Sequence, residues 1–205
     1  MTLAGHGRDE ITVQKSRFIG QAWPCVTEEE ALSCLKSVRE DMRDARHHCY
    51  AYVIGQNEGI LRYSDDGEPG GTAGMPILSL IRSESLVNCC VVVTRYFGGI
   101  LLGTGGLVRA YTQGCRIALD AAGIVRMERT LRDLCEVPYS AWDSVHYALD
   151  HLPAKAEDIS FSSAVSFTLL TRAADRDHVI SELQRVSSRT LETLPEGEAF
   201  ESWPR

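Results

Sequence analysis

Most of the devices by which a sequence announces an enzyme are missing from this chain. No glycine-rich segment is followed by Gly-Lys-Ser/Thr, which excludes a phosphate-binding P-loop. Zinc-ligand spacing is absent, as is any Ser-His-Asp order of a hydrolase triad. The seven cysteines, at positions 25, 34, 49, 89, 90, 115 and 135, include no Cys-x-x-Cys pair. Their odd number and their place in apolar runs fit buried, reduced thiols. The first ten residues lack the apolar stretch of a signal peptide, and no segment approaches the apolar length that spans a bilayer. A cytoplasmic location is therefore expected. Basic residues are outnumbered 21 to 28, and the net charge of −7 argues against broad nucleic-acid binding, which relies on many Lys and Arg contacts.

Other absences bound the architecture. There is no internal repeat and no Pro- or Gly-rich linker, and 205 residues suffice for one large or two small domains. A hydrophobic content of 44% and a charged content of 24% are ordinary for a globular protein. Residues 1–128 carry 13 basic and 15 acidic side chains, net −2, whereas residues 129–205 carry 8 and 13, net −5. Any anion-binding face must then be local and lie on the first part.

One stretch of this acidic chain, from Ser85 to Leu119, contains no carboxylate at all. It opens with Cys89 to Val93, a short β-branched run that predicts a buried central strand. Arg95, Tyr96 and Phe97 follow, then Gly98 and Gly99, then Gly103, Gly105 and Gly106. A helix comes next, with Leu107, Tyr111, Cys115, Ala118 and Ala122 on one face and Gly123 as its C-cap. Strand, glycine turn and helix start can aim backbone N–H groups at an anion, with Arg95 and Arg109 flanking them. Gly103-x-Gly105 begins a dinucleotide fingerprint, but Val108 stands at its third glycine position and excludes it. The same glycines equally allow tight turns and close helix–strand packing with no ligand. Tyr96 and Phe97 can stack on bases, although one of the two is expected to point into the core.

The rest of the chain reads as two α+β domains. Ile11 to Pro24 predicts one or two strands with Lys15 and Arg17 near their start. Thr27 to Glu30 is a capping box opening a helix, with Ala31, Leu32, Leu35, Val38 and Met42 on one face and an end near Asp44. His48 to Ile54 and Ile60 to Tyr63 predict a hairpin around a turn at 55–59, and Thr72 to Arg82 a helix with Pro76 in its first turn. Beyond a boundary between 128 and 129 the order is β-α-β-β-α-β, the ferredoxin-like sequence of elements. Its strands are expected at 131–137, 159–161, 165–170 and 190–194, and its helices around Trp142–Leu152 and Val179–Val186. The last ten residues are expected to be disordered. The would-be open face of this sheet carries Ser162, Ser166 and Thr168 where an RNA-binding sheet has aromatics, which favours protein contacts there.

Asp65, Asp66 and Glu68 form the sharpest acidic cluster, and three readings of it are open. Three oxygen donors on a turn can hold Mg²⁺ or Ca²⁺, although EF-hand spacing is absent. Asp-Gly and Glu-Pro-Gly-Gly are also good turn chemistry in themselves. The carboxylates can alternatively pair with Arg62, Arg95 or the Arg46–His47–His48 run, fixing the loop against the glycine stretch. His47 and His48 are adjacent on a strand and point to opposite faces, so they do not form a metal pair; His48 reads as a polar contact and Cys49 as core. No catalytic residue is assigned.

Four segments carry a resemblance. ArgTyrPheGlyGlyIleLeuLeuGlyThrGlyGlyLeuValArgAlaTyr (95–111) resembles the signature of the YigZ/IMPACT family, as do residues 15–20, 45–55 and 64–77, in the family's order. The resemblance implies an N-terminal domain with the βαβ-type fold of elongation factor G domain IV and GHMP kinases, and a C-terminal ferredoxin-like domain resembling elongation factor G domain V. It also implies a link to translation or its regulation, with the ribosome, RNA or a translation-associated protein as partner and no DNA sequence specificity. The starvation-kinase partner of the eukaryotic regulators, which carry a further N-terminal domain, is not expected here. The binding residues this points to are Lys15, Arg17, His48, Arg95, Tyr96, Gly98, Gly99, Gly103, Gly105, Gly106 and Arg109. Asp65, Asp66 and Glu68 are the metal or loop-pairing set. A small-molecule phosphate-binding enzyme, kinase- or hydrolase-like, using the same loop with Mg²⁺ at the acidic turn, is the alternative. The serine-rich glycine motif of the GHMP kinases is missing, and a shared fold alone does not carry their activity.

Overall fold

The computed structural model describes residues 1–55 and 59–204, and its first unit is built around the apolar run at 89–93. That run lies in β6 (Cys89–Tyr96), the middle of a five-stranded antiparallel sheet. The order across the sheet is β2 (Gly7–Val13), β3 (Ser16–Pro24), β6, β4 (His47–Ile54) and β5 (Ile60–Ser64). Two faces explain why β6 is apolar throughout. Cys89, Val91 and Val93 pack with α2 (Gly74–Ser83) and α3 (Gly103–Ala122). Cys90 and Val92 pack with α1 (Glu28–Asp41). A strand covered on both sides has no polar face to alternate. β3 and β4 both run antiparallel to β6, so β3-α1-β4 is a split β-α-β crossover. A short β1 (Thr2–Leu3) pairs with the start of β7 (Ile124–Val137).

Local chemistry sets the element ends. The Glu30 N–H donates to Thr27 Oγ1 at 3.2 Å, and Glu30 Oε2 accepts the Val26 N–H at 2.7 Å, which closes the capping box one residue earlier than the standard pattern. The helix stops at Asp41, short of the expected Asp44, and Leu32 is 47% exposed. Ala31, Leu35, Val38 and Met42 already fill the buried stripe, and Leu32 falls at its edge. β2 and β3 are two strands joined by Gln14 and Lys15, both with positive φ (45° and 67°), which fits a tight two-residue hairpin. Of the turn expected at 55–59, residues 56–58 lie outside the described residues.

The second unit, Met127–Trp203, follows the β-α-β-β-α-β order: β7, α4 (Tyr139–Leu149), β8 (Ala154–Phe161), β9 (Val165–Arg172), α5 (Arg176–Val186) and β10 (Glu192–Pro204). The other unit is Met1–Arg126, so the division falls two residues before the one drawn from the sequence. The strand order β10-β7-β9-β8 is that of a ferredoxin-like sheet, with Phe167, Leu169, Val145 and Leu183 in its core. Two expectations fail here. The last ten residues are ordered as β10 up to Pro204, and Trp203 donates to Thr130 Oγ1 at 2.9 Å while stacking on Lys155 and Arg172. The face opposite the helices is not a bare polar surface either, because Thr168 is 5% exposed and Leu170 is fully buried.

In the first unit α3 meets β3 at backbone contact. A Cβ on Gly20 would stand 2.0 Å from the Gly114 carbonyl oxygen, so neither helix nor strand can keep its place with a side chain there. Gly20→Ala is expected to destabilise by about 3 kcal/mol or more in urea unfolding, because overpacking against backbone finds no side chain to move. Gly70→Ala, with open space at its Cβ, is expected to change stability by less than about 0.5 kcal/mol. Equal effects from the two would refute this packing.

Candidate functional site: a buried ion pair beneath a glycine loop

Arg95 sits near the end of β6 on the face that α2 and α3 cover, which takes it out of solvent. Its Nη1 donates to Glu68 Oε1 at 2.8 Å, and the two side chains are 7% and 4% exposed. Its guanidinium lies 5.5 Å from the Phe18 ring centroid and 5.4 Å from that of Phe97, and Nη2 reaches Ser16 Oγ at 3.5 Å. Tyr111, from α3, donates its hydroxyl to the same Glu68 oxygen at 2.7 Å. Burial, first, and then the neighbouring Cys49 and Glu68 push the Tyr111 phenol far above its usual range, so it stays protonated. Arg95 is therefore not available to a ligand, which corrects its reading as a binding residue. It is a strut, with one Nε left without a hydrogen-bond partner as part of its cost.

The acidic turn is held at every carboxylate. Asp65 accepts the backbone N–H groups of Gly71, Ala73 and Gly74 at 2.8–2.9 Å, serving as the cap of α2 from eight residues upstream of Ala73. Burial alone would raise its pKa, but these three donors outweigh it and hold the carboxyl below its usual range. Asp66 pairs with Arg39 at 3.1 Å and accepts the His48 N–H at 2.7 Å, and its carbonyl contacts His47 Nδ1 at 2.8 Å. His48 turns to the other face, 3.1 Å from Thr94 Oγ1, where burial lowers its pKa and favours the neutral ring. Cys49 donates to the Asp65 carbonyl at 3.0 Å, and burial pushes its thiol up to about 12. Arg62 lies instead by Glu28 at 3.9 Å.

Mg²⁺ does not fit this turn. Its three carboxylates already take protein donors, and among the described residues no three His, Cys, Asp or Glu side chains converge as metal ligands. The metal-assisted alternative has no ligand set here.

What remains exposed is the glycine loop and its border. Gly98 lies on the β2–β3 turn: a Cβ there would stand 2.0 Å from the Lys15 carbonyl carbon, and its N–H donates to Ser16 Oγ at 3.1 Å. Gly99 and Gly103 take positive φ (85° and 67°), carrying the chain out and back into α3. Gly103 and Gly105 are exposed at the helix start, and Gly106 closes on Leu102. Lys15, Arg17 and Arg109 are exposed. Arg17 lies over the Tyr96 ring at 4.8 Å and 3.7 Å from Glu10, while Tyr96 donates to Asp44 at 2.8 Å and packs on the α1 side. Phe97 is the aromatic left outside, 48% exposed. Sequence reasoning passed over Ser16, Phe18 and the Tyr111 hydroxyl. Tyr111 stood in an apolar stripe, and only the position of Glu68 gives its oxygen a purpose.

Two outcomes follow. Glu68→Gln, which keeps an acceptor for Tyr111 but strands the Arg95 charge, is expected to cost about 3–5 kcal/mol in urea unfolding; a loss under about 1 kcal/mol would deny the pair its role. Because the folded Asp65 carboxyl lies below its ordinary value of 3.8, its contribution is complete above that pH range and is lost as pH falls through the folded value. Asp65→Asn should remove that part of the acid sensitivity, and an unchanged stability–pH curve would contradict it.

Residues 14–119 match the Impact N-terminal domain. The chain is similar to "IMPACT family member YigZ" of Escherichia coli (strain K12), 48% identical over 89% of this chain and 90% of that one. A crystal structure of a hypothetical protein matches over 94% of this chain and 95% of its own, at 33% identity and a TM-score of 0.59. A structure described as the two-domain translational regulator Yih1 matches over 58% of this chain and 46% of its own at 28% identity, with a TM-score of 0.35, too low to carry an argument. By domain match and by near-full-length similarity, the chain belongs to the IMPACT family.

Proposed function

We propose that this protein is a translation-linked binding or regulatory protein whose first unit docks an anionic partner, RNA or a ribosomal surface, on the glycine loop. The link to translation is the one the family resemblance implies. The site reading rests on one observation: three exposed cations border a segment without carboxylates. Lys15 lies under Gly98, Arg17 lies over Tyr96, and Arg109 reaches back toward Gly105. The exposed glycines at the start of α3 leave backbone N–H groups open to an anion. Arg95 and Glu68 belong to the support of this surface, and Asp65 and Asp66 shape its neighbouring turn. An acidic protein with so few cations in place grips few phosphates, so its binding is weak and depends on shape as well as charge. Residues 129–205, net −5, are assigned protein contacts.

Sedimentation with purified ribosomes, and filter binding to RNA, test this across a salt series. The wild-type protein is expected to associate, with log K falling by about two to three units per tenfold rise in salt for its three cations. Lys15→Ala/Arg109→Ala should weaken binding about tenfold or more and flatten that slope by roughly two. An absence of salt-sensitive association in the wild type, or a double variant indistinguishable from it, would overturn the proposal.

A further inference from the structure

α2 and α3 pack side by side on the sheet, and between them the surface opens into a groove of about 480 Å³. Its α2 wall is Met75, Pro76, Ser79, Leu80 and Ser83, one stripe repeating every three or four residues over about 12 Å of helix. Val108 and Thr112 form the α3 wall, one turn apart. Met75 and Val108 are 44% and 36% exposed. Two of the three hydroxyls in the groove bond back to their own helix: Ser83 donates to the Leu80 carbonyl at 2.9 Å and Thr112 to the Val108 carbonyl at 2.8 Å. Those two groups spend their donors on their own backbone and present carbon to the groove. No aromatic side chain lines it, so bases have nothing to stack on.

Positive charge predominates on the two helices that wall the groove. α2 contains no Asp or Glu, and α3 contains none before Asp120. Arg82, Arg109 and Arg116 lie on the two walls' helices, and Glu84, at the end of α2, is already paired with Arg116 at 2.8 Å. Arg109, next to Val108, is exposed and has no ion pair among the described residues. In a chain of net charge −7 this is the reverse of the surrounding field.

We propose that the α2–α3 groove docks an acidic amphipathic segment of another protein. Two or three apolar side chains at i, i+4 and i+7 enter between Met75, Leu80 and Val108, and flanking carboxylates meet Arg109. Such helix-in-groove docking uses a shallow apolar channel two turns long, and small residues such as Ser79 and Ser83 let the incoming helix approach closely. Arg109 is shared with the anion surface proposed above, whereas Lys15 and Arg17 belong to that surface and not to the groove.

The test uses the full chain and three fluorescent peptides of about 15 residues. The first is helix-forming, with Leu at i, i+4 and i+7 and Glu on its other faces. The second has the same composition in scrambled order, and the third has Lys in place of Glu. The first is expected to bind at least about tenfold more tightly than either of the others. Ser79→Trp, at an exposed position that leaves the core untouched, should fill the groove, and Val108→Glu should repel the peptide; each should weaken binding about tenfold with thermal unfolding unchanged. Lys15→Ala should leave peptide binding as it is while weakening RNA, which separates failure of this proposal from failure of the anion surface. Equal binding of all three peptides, no binding of the first, or indifference to Ser79→Trp would overturn it. So would an RNA oligonucleotide whose binding Ser79→Trp abolishes.

Discussion

The first unit depends on one charge pair placed where charges are expensive. Arg95 and Glu68 leave water almost completely, and their attraction has to meet a desolvation cost of several kcal/mol per ion. The return is geometric. Glu68 belongs to the turn after β5, Arg95 to β6 and Tyr111 to α3, so one carboxylate oxygen ties three parts of the chain. Ser16 adds a fourth, since its hydroxyl meets both Arg95 and the Gly98 N–H. The acidic turn and the glycine loop then have one position relative to each other. Replacing such a pair by apolar residues often leaves stability intact, so its retention here fits a need for position more than for free energy.

The fold was largely legible. A β-branched run without polar alternation meant a covered central strand, and β6 is covered by α1 on one side and by α2 and α3 on the other. The helical stripe at Leu107, Tyr111, Cys115, Ala118 and Ala122 is buried as its spacing demands. Strand ends were less legible, because β7 and β10 run beyond their apolar cores on hydrogen bonds and edge pairing that periodicity does not record. Trp203 shows the difficulty: a residue in a mostly polar stretch is buried by a stack on Lys155 and Arg172.

The site was only half legible, and the error is instructive. Arg95 and Arg109 flank the glycines symmetrically in sequence, yet strand alternation turns Arg95 inward onto Phe18 while Arg109 stays exposed on α3. Asp65, Asp66 and Glu68 look like one cluster, but each faces a different partner: backbone N–H groups, Arg39 and Arg95. Residue types in a motif give the chemistry available; only pairing across the sheet decides whether it is spent on structure or left for a ligand. Here the three carboxylates and Arg95 are spent on structure, and Arg17 lies 3.7 Å from Glu10.

If the buried pair sets both loops at once, loosening it should release both at once. Hydrogen exchange on the full chain, wild type against Glu68→Gln under conditions where both remain folded, reads this directly. Faster exchange is predicted in segments 64–74 and 97–103 together, with segments 139–149 and 165–172 of the second unit unchanged. Loops that exchange in the variant as they do in the wild type, or acceleration confined to one of them, would contradict the account.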